Sequence, residues 1–94
     1  MSADTKFYKV TEYECMDGTA YYKPNSEHEH YFRKYESATK FAHKEAEEIR
    51  HLFNGTTDFH SHDGIDELTV RAVGNEGRTV GIRAWVIEPF SFED

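Results

Sequence analysis

Histidines are the residues of this chain whose type and spacing most readily suggest chemistry. Six occur among the 94 residues, and four form the pairs His28-x-His30 and His60-x-His62, the second followed by Asp63. Two such pairs could bind Zn²⁺ through imidazole nitrogens in tetrahedral geometry. Solvated loop histidines are the plainer interpretation, because structural zinc sites usually include cysteine. No metal or other cofactor is therefore predicted, and a zinc-binding domain or small metal-dependent hydrolase is an alternative function.

A second histidine spacing lies on the predicted helix. His43, Glu47 and His51 follow one another at i, i+4 and i+8 and share one polar stripe, where they could hold a metal. A solvent-exposed helix face accounts for the same residues, and their order differs from the His-Glu-x-x-His of zinc proteases. Residues 58–67 do not predict a calcium-binding loop either, because Asp63 stands where the sharp turn requires glycine.

Nucleophilic catalysis has little support in the sequence. Cys15 is the only cysteine. Three carboxylates close to it in sequence disfavour the reactive thiolate, namely Glu12, Glu14 and Asp17. Ser61 lies between two histidines, but neighbours in sequence do not establish the geometry of a catalytic triad. We therefore predict that the protein is not an enzyme.

The charge balance points to a protein partner. The chain has 18 acidic against 11 basic residues, a net charge of −7. Nucleic-acid affinity depends on Lys and Arg neutralising phosphates, so this balance disfavours direct nucleic-acid binding. Acidic membrane surfaces repel such a chain for the same reason. A basic protein surface would attract it.

Length and composition predict a single domain over residues 1–94, with flexible ends at 1–5 and 90–94. Aromatic residues make up 15% of the chain, so a few large rings can fill a small core. A lone cysteine forms no internal disulfide, and the N-terminus has no apolar run of the signal-peptide type. These features predict a cytoplasmic location.

The clearest predicted element is an amphipathic helix over Ser37–Phe53. Ser37 is a suitable N-cap, and Asn54-Gly55 tolerates the left-handed turn that ends many helices. Seven apolar residues recur at helical spacing and predict a core-facing stripe: Ala38, Phe41, Ala42, Ala46, Ile49, Leu52 and Phe53.

Strands are predicted on both sides of this helix. β-branched and aromatic residues, with alternation in the second hairpin, predict strands at 6–14, 19–23, 67–73 and 79–87, joined in pairs by turns at 16–18 and 74–77. Residues 25–30 and 56–65 are predicted loops, and Pro89 is predicted to end the last strand. Tyr31–Tyr35 is either a short third strand or a continuation of the loop. The fold class is thus α+β, one amphipathic helix packed on an antiparallel sheet of four or five strands, in the order ββ(β)αββ.

The last predicted strand suggests a binding surface. If Val80, Ile82, Ala84 and Val86 face the helix, then Arg83, Trp85 and Ile87 face outward, with Arg71 and Val73 beside them on the partner strand. Trp and Arg are enriched at binding hot spots. A second layer of packing over Trp85, or self-association as a homodimer through this face, would explain the same pattern.

Acidic residues near the first hairpin suggest a second contact surface. Between Val10 and Phe32 five acids stand against the single base Lys23: Glu12, Glu14, Asp17, Glu27 and Glu29. Together they would form a negative edge that steers a basic partner. Solubility and protection of an exposed sheet edge are the alternative role.

We therefore predict an acidic protein-binding module that occludes a basic site on a partner, for which no motif identifies a family. Small inhibitors of nucleic-acid-processing machinery from phages and mobile elements share this general character. The predicted partner-binding residues are Glu12, Glu14, Asp17, Arg71, Arg83 and Trp85. A nucleic-acid binder using Arg71, Arg78 and Arg83 is a further alternative, which requires these three bases to converge.

Overall fold

Five strands and one helix make up the part of the chain that the structure describes. The computed structural model describes residues 6–15, 22–74 and 77–91. The elements are β1 (Lys6–Cys15), β2 (Tyr22–Phe32), α1 (Tyr35–Phe53), β3 (Thr56–His62), β4 (Ile65–Val73) and β5 (Thr79–Ser91). All strand pairs are antiparallel, in the spatial order β2-β1-β5-β4-β3, and α1 packs on the sheet. The predicted α+β class is confirmed, with five strands.

The fifth strand lies after the helix, where the sequence predicted a loop. Residues 56–62 of the predicted loop 56–65 form β3, which pairs with β4 without a register shift. Asp63 and Gly64 join the two strands with φ angles of 52° and 79°. Positive φ at both central residues is typical of the type I′ turn, which matches the twist of a hairpin.

The segment before the helix is also more extended than predicted. β2 runs from Tyr22 to Phe32, so the predicted loop at 25–30 is part of a strand. Its pairing with β1 is interrupted between Thr11 and Tyr13, where the register shifts. Tyr31 and Phe32 end β2, and Tyr35 begins the helix, so 31–35 is not a separate strand.

The helix α1 begins two residues earlier than predicted and without a side-chain cap. Lys34 is the N-cap residue and makes no capping hydrogen bond, so the N-cap role predicted for Ser37 is wrong. The other end follows the prediction, because Asn54 is left-handed at φ 53°. A Cβ on Gly55 would lie 2.3 Å from the carbonyl oxygen of Arg71, so only glycine lets the helix end approach β4 this closely.

Three alanines at i, i+4 and i+8 bring α1 close to the sheet. Ala38, Ala42 and Ala46 are fully buried. Beneath them lie the largest buried side chains of the core, from three adjacent strands: Val10, Leu68, Val70, Trp85 and Ile87. We call this side of the sheet the helix face. Alternate residues of each strand point to the opposite side, which we call the outer face.

The apolar stripe of the helix is not entirely core. Leu52 is 74% exposed and Phe53 is 48% exposed, so their predicted burial is wrong. The last strand also differs from its prediction, because β5 continues through Pro89 to Ser91. Beyond Ile87 this strand pairs only with β1. Pro89 has no N–H to donate, and it is tolerated here because one side of the strand has no neighbouring described strand to bond with.

Candidate protein-docking surface

Trp85 and Ile87 do not form the predicted outward surface, because residues 83–87 of this strand face the other way, whereas Ile82 packs against the core as predicted. Trp85 and Ile87 are each 1% exposed and lie in the core under the helix. Ala84 and Val86 point to the outer face instead. β5 has apolar residues on both sides, so its alternation alone could not decide which side faces the helix.

Glu12 and Arg83, two of the predicted contact residues, pair with each other. Glu12 lies opposite Trp85 on β1 and is 4% exposed. The Arg83 guanidinium donates to its carboxylate at 3.0 Å. A buried carboxylate held in this way stabilises the sheet and is little accessible to a partner, and the steering role of Glu12 stays a prediction.

Within the residues that the structure describes, the other predicted acids do not form one continuous negative edge. Glu14 is exposed near the end of β1. Asp17 and the turn predicted at 16–18 lie outside the described residues. Glu29 is exposed on β2, opposite Thr11.

The two His-x-His pairs lie at opposite edges of the sheet. His28 and His30 belong to β2, and His60 and His62 belong to β3. Four strand spacings separate these edges, a distance of about 19 Å. The pairs therefore cannot share one metal ion. In the described part of the chain, no group of three or more His, Cys, Asp or Glu side chains is placed to hold a metal.

His30 and His43 each pack against an aromatic ring. The His30 ring lies 4.4 Å from the ring of Phe41, and the His43 ring is stacked 5.8 Å from that of Phe59. His43 is thus turned toward β3. Glu47 accepts hydrogen bonds from Arg50, which hold the pKa of Glu47 below its usual value. Within the predicted helical stripe, His43 therefore contacts Phe59, whereas Glu47 is held by Arg50.

The three arginines of the nucleic-acid alternative do not converge. Arg71 is on the outer face, where its Nε lies 3.0 Å from a carboxylate oxygen of Asp58. Arg83 is on the helix face with Glu12. The sheet therefore separates two of the three bases and gives each an acidic partner.

The outer face has a small, neutral centre. Thr11, Thr69 and Ala84 line it from the three middle strands, and each is no more than 4% exposed. Larger side chains at neighbouring positions, such as Tyr13 and Val86, flank these short ones on the same face. Among the described residues, no secondary-structure element packs over this side of the sheet. The result is a floor of small side chains that have little solvent-accessible surface of their own.

Charged residues surround this floor with an acidic excess. Four carboxylates and two bases point to the described outer face: Glu29, Asp58, Glu67, Glu88, Lys9 and Arg71. Two ion pairs use both bases, Arg71 with Asp58 and Lys9 with Glu88, the second at 3.3 Å. Glu29 and Glu67 remain, in one row across the sheet and about 14 Å apart, with Thr11 and Val86 between them.

One corner of the outer face is aromatic. The rings of Tyr31 and Phe90 lie 5.5 Å apart, and the ammonium group of Lys9 is 6.0 Å from the centre of the Phe90 ring. Burial lowers the pKa of Lys9, but the hydrogen bond and charge of Glu88 outweigh it, and the net shift is upward. The residue therefore stays cationic within the acidic surface.

A hydroxyl–carboxylate cluster lies beside the start of α1. Asp66, 3% exposed, accepts hydrogen bonds from Tyr35 and, at 2.6 Å, from Ser61. The bond to Asp66 is the main cause of a raised pKa for the Tyr35 hydroxyl, with burial and the carboxylate charge adding to it. Both hydroxyls donate to one carboxylate, so the cluster ties α1 and β3 to β4.

Fold and surface together define a two-layer α+β protein with an acidic sheet face on which none of the described elements packs. No protein-family profile, curated protein or solved structure matches the chain. Within the described residues, no helix is both long enough and apolar enough to cross a membrane.

Proposed function

We propose that the protein is a binding module that docks a basic protein surface on its outer face. The observation that carries this proposal is the pair Glu29 and Glu67 in one row across a sheet face on which no described element packs. These carboxylates would attract Lys and Arg side chains, which speeds encounter and aligns the partner.

The aromatic corner would supply the anchor. Interface energy is concentrated in a few aromatic and arginine contacts, while surrounding charges contribute mainly orientation. Tyr31 is 53% exposed and lies beside Phe90 at the edge of the acidic surface. We propose that partners of this kind include basic sites that otherwise hold nucleic acid, which docking would occlude.

A charge-reversal pair with a matched control tests the docking face. The double variant E29K/E67K reverses both acids beside the floor, and E36K/E48K reverses two exposed acids of α1. Both change the net charge by the same amount. The probe is a lysine- and arginine-rich peptide titrated into isotope-labelled protein at physiological salt, followed by NMR.

Peptide-induced shifts at outer-face residues such as Thr11 and Val86, lost in E29K/E67K and retained in E36K/E48K, are the expected result. Equal losses in both variants would mean that net charge alone attracts the peptide, which contradicts a specific face. A duplex DNA probe should produce no shifts, since this acidic surface repels phosphates.

A further inference from the structure

Among the described strands, β3 forms one edge of the sheet, and it has few of the usual protections against pairing. Edge strands in folded proteins are blunted by lysine, proline, bulges or short length. β3 contains no Lys, Arg or Pro, and its ladder with β4 is regular over seven residues. Six of its seven residues are exposed. Its outward backbone groups thus form a straight template for another strand.

The opposite edge differs in two respects. β2 contains Pro24, which has no N–H for a ladder, and its register shifts opposite the interval between Thr11 and Tyr13. An interrupted strand of this kind is a poor template. One of the two sheet edges is therefore protected and the other is not.

The sequence of β3 is complementary to itself when reversed. In Thr56–His62 the central residue is Phe59, and an antiparallel copy centred there places Asp58 opposite His60 twice. Thr57 then lies opposite Ser61, also twice. We propose that β3 pairs with β3 of a second copy about a two-fold axis at Phe59, giving one continuous ten-stranded sheet.

The faces of the sheet agree with this pairing. Asp58 and His60 are on the outer face, because their β4 partners are Thr69 and Glu67. His60 would then lie between Glu67 of its own chain and Asp58 of the second copy. Asp58 contacts Arg71 through one carboxylate oxygen and keeps the other for this histidine.

On the helix face the same axis brings two aromatic rings together. Phe59 lies opposite Leu68 on β4 and would meet its own copy across the axis. Aromatic pairs and hydroxyl pairs directly opposite each other both stabilise antiparallel strands. A slip of one residue would oppose residues of different faces, and a slip of two would place Phe59 opposite Ser61 or Thr57. The centred register is the one that opposes the two phenylalanines.

The interface is small, which sets the expected affinity. Seven residues per strand bury less than the roughly 1,200 Å² typical of stable specific complexes, so the dimer should be weak, with a dissociation constant of about 100 µM.

Both outer faces lie on the same side of the extended sheet. This inference concerns the edge and does not depend on the docking role proposed for the outer face.

Sedimentation equilibrium across about 10 µM to 1 mM tests the dimer on the wild-type chain. F59K places two lysines at the axis and should weaken association by about tenfold or more. Y31K is the matched control at the protected edge, because Tyr31 is 53% exposed and Phe59 is 46% exposed. Y31K should associate like the wild type.

Mixing two monomeric variants tests the register itself. F59K and F59E should each fail to self-associate, whereas an equimolar mixture should form a heterodimer, because residue 59 faces itself only in the centred pairing. A wild-type chain that stays monomeric near 1 mM overturns the proposal. So does a dimer that survives F59K or is lost in Y31K. Absence of a heterodimer in the mixture overturns the centred register.

Discussion

Two arginine–carboxylate pairs join neighbouring strands of this sheet at the same separation and in different surroundings. Arg83 and Glu12 meet at 3.0 Å on the helix face, and Arg71 and Asp58 meet at 3.0 Å on the outer face. The Glu12 side chain is 5% exposed, whereas that of Asp58 is 47% exposed. The two pairs therefore have the same separation and differ in the solvent exposure of their carboxylates.

This contrast separates the structural side of the sheet from its contact side. Removing Glu12 from its buried position leaves the partly desolvated Arg83 guanidinium without its counter-charge, which is costly. An exposed pair exchanges its partner for water at little cost. Groups on the helix face should therefore govern folding, and groups on the outer face and at β3 should remain available for contacts.

The largest effect is expected at Glu12. Glu12→Gln removes the buried carboxylate charge beside Arg83, and we expect a loss of about 2 kcal/mol in unfolding free energy, discounted because Arg83 is partly exposed. Urea unfolding monitored by circular dichroism measures it. The double variant E12L/R83M should recover most of the loss, and a loss below about 0.5 kcal/mol in E12Q would contradict the contrast.

The next effect concerns the turn that holds β3. Gly64→Val puts a branched side chain at φ 79°, with an expected cost of about 1–2 kcal/mol, although nothing crowds the position. G64N should cost less because Asn tolerates this conformation. Amide hydrogen exchange should show faster exchange in β3 and unchanged protection in β1. Uniform loss across the sheet would count against a locally held β3.

A smaller, pH-dependent effect on the unfolding free energy is expected at the hydrogen bond between exposed Tyr35 and buried Asp66. Tyr35 is 44% exposed but donates to buried Asp66, and its pKa is raised above 10.0. A group whose proton is held more tightly in the folded state stabilises fully below its unfolded pKa and loses that contribution as pH rises through the folded value. Wild-type stability should therefore fall more than that of Y35F as the pH rises above about 10. Parallel pH profiles would show that the bond contributes nothing.

The smallest effect is expected at the exposed pair. Asp58→Asn should change the unfolding free energy by about 0.5 kcal/mol or less, and added salt should reduce even that difference. The same urea experiment as for E12Q provides the comparison. A loss as large as that of E12Q would remove the distinction between the two faces.

The sequence predicted the elements with strong patterns and missed the ones without. Apolar spacing located α1, and alternation located β4 and β5, because burial on one side leaves a periodic trace. β3 is polar on both faces, with Phe59 its only large apolar residue, so periodicity could not reveal it. Asp63-Gly64 was the available signal, since this dipeptide is typical of two-residue hairpins.

The site was harder to predict than the fold. β5 is apolar on both sides, so Trp85 could be assigned to either face until its pairing with Glu12 and Leu68 was known. The pairing of Glu12 with Arg83 joins residues 71 positions apart, which no local pattern encodes. The floor of the outer face likewise depends on register, because Thr11, Ala84 and Thr69 become neighbours only across strands.

The position of Trp85 has a practical consequence. It is the only tryptophan of the chain, and it lies 1% exposed beneath the helix in the cluster of Ala38, Ala42 and Ala46. Its fluorescence therefore reports on a single event, the separation of α1 from the sheet. Emission should be blue-shifted and resistant to soluble quenchers in the folded protein, and it should shift to the red as the helix lifts away.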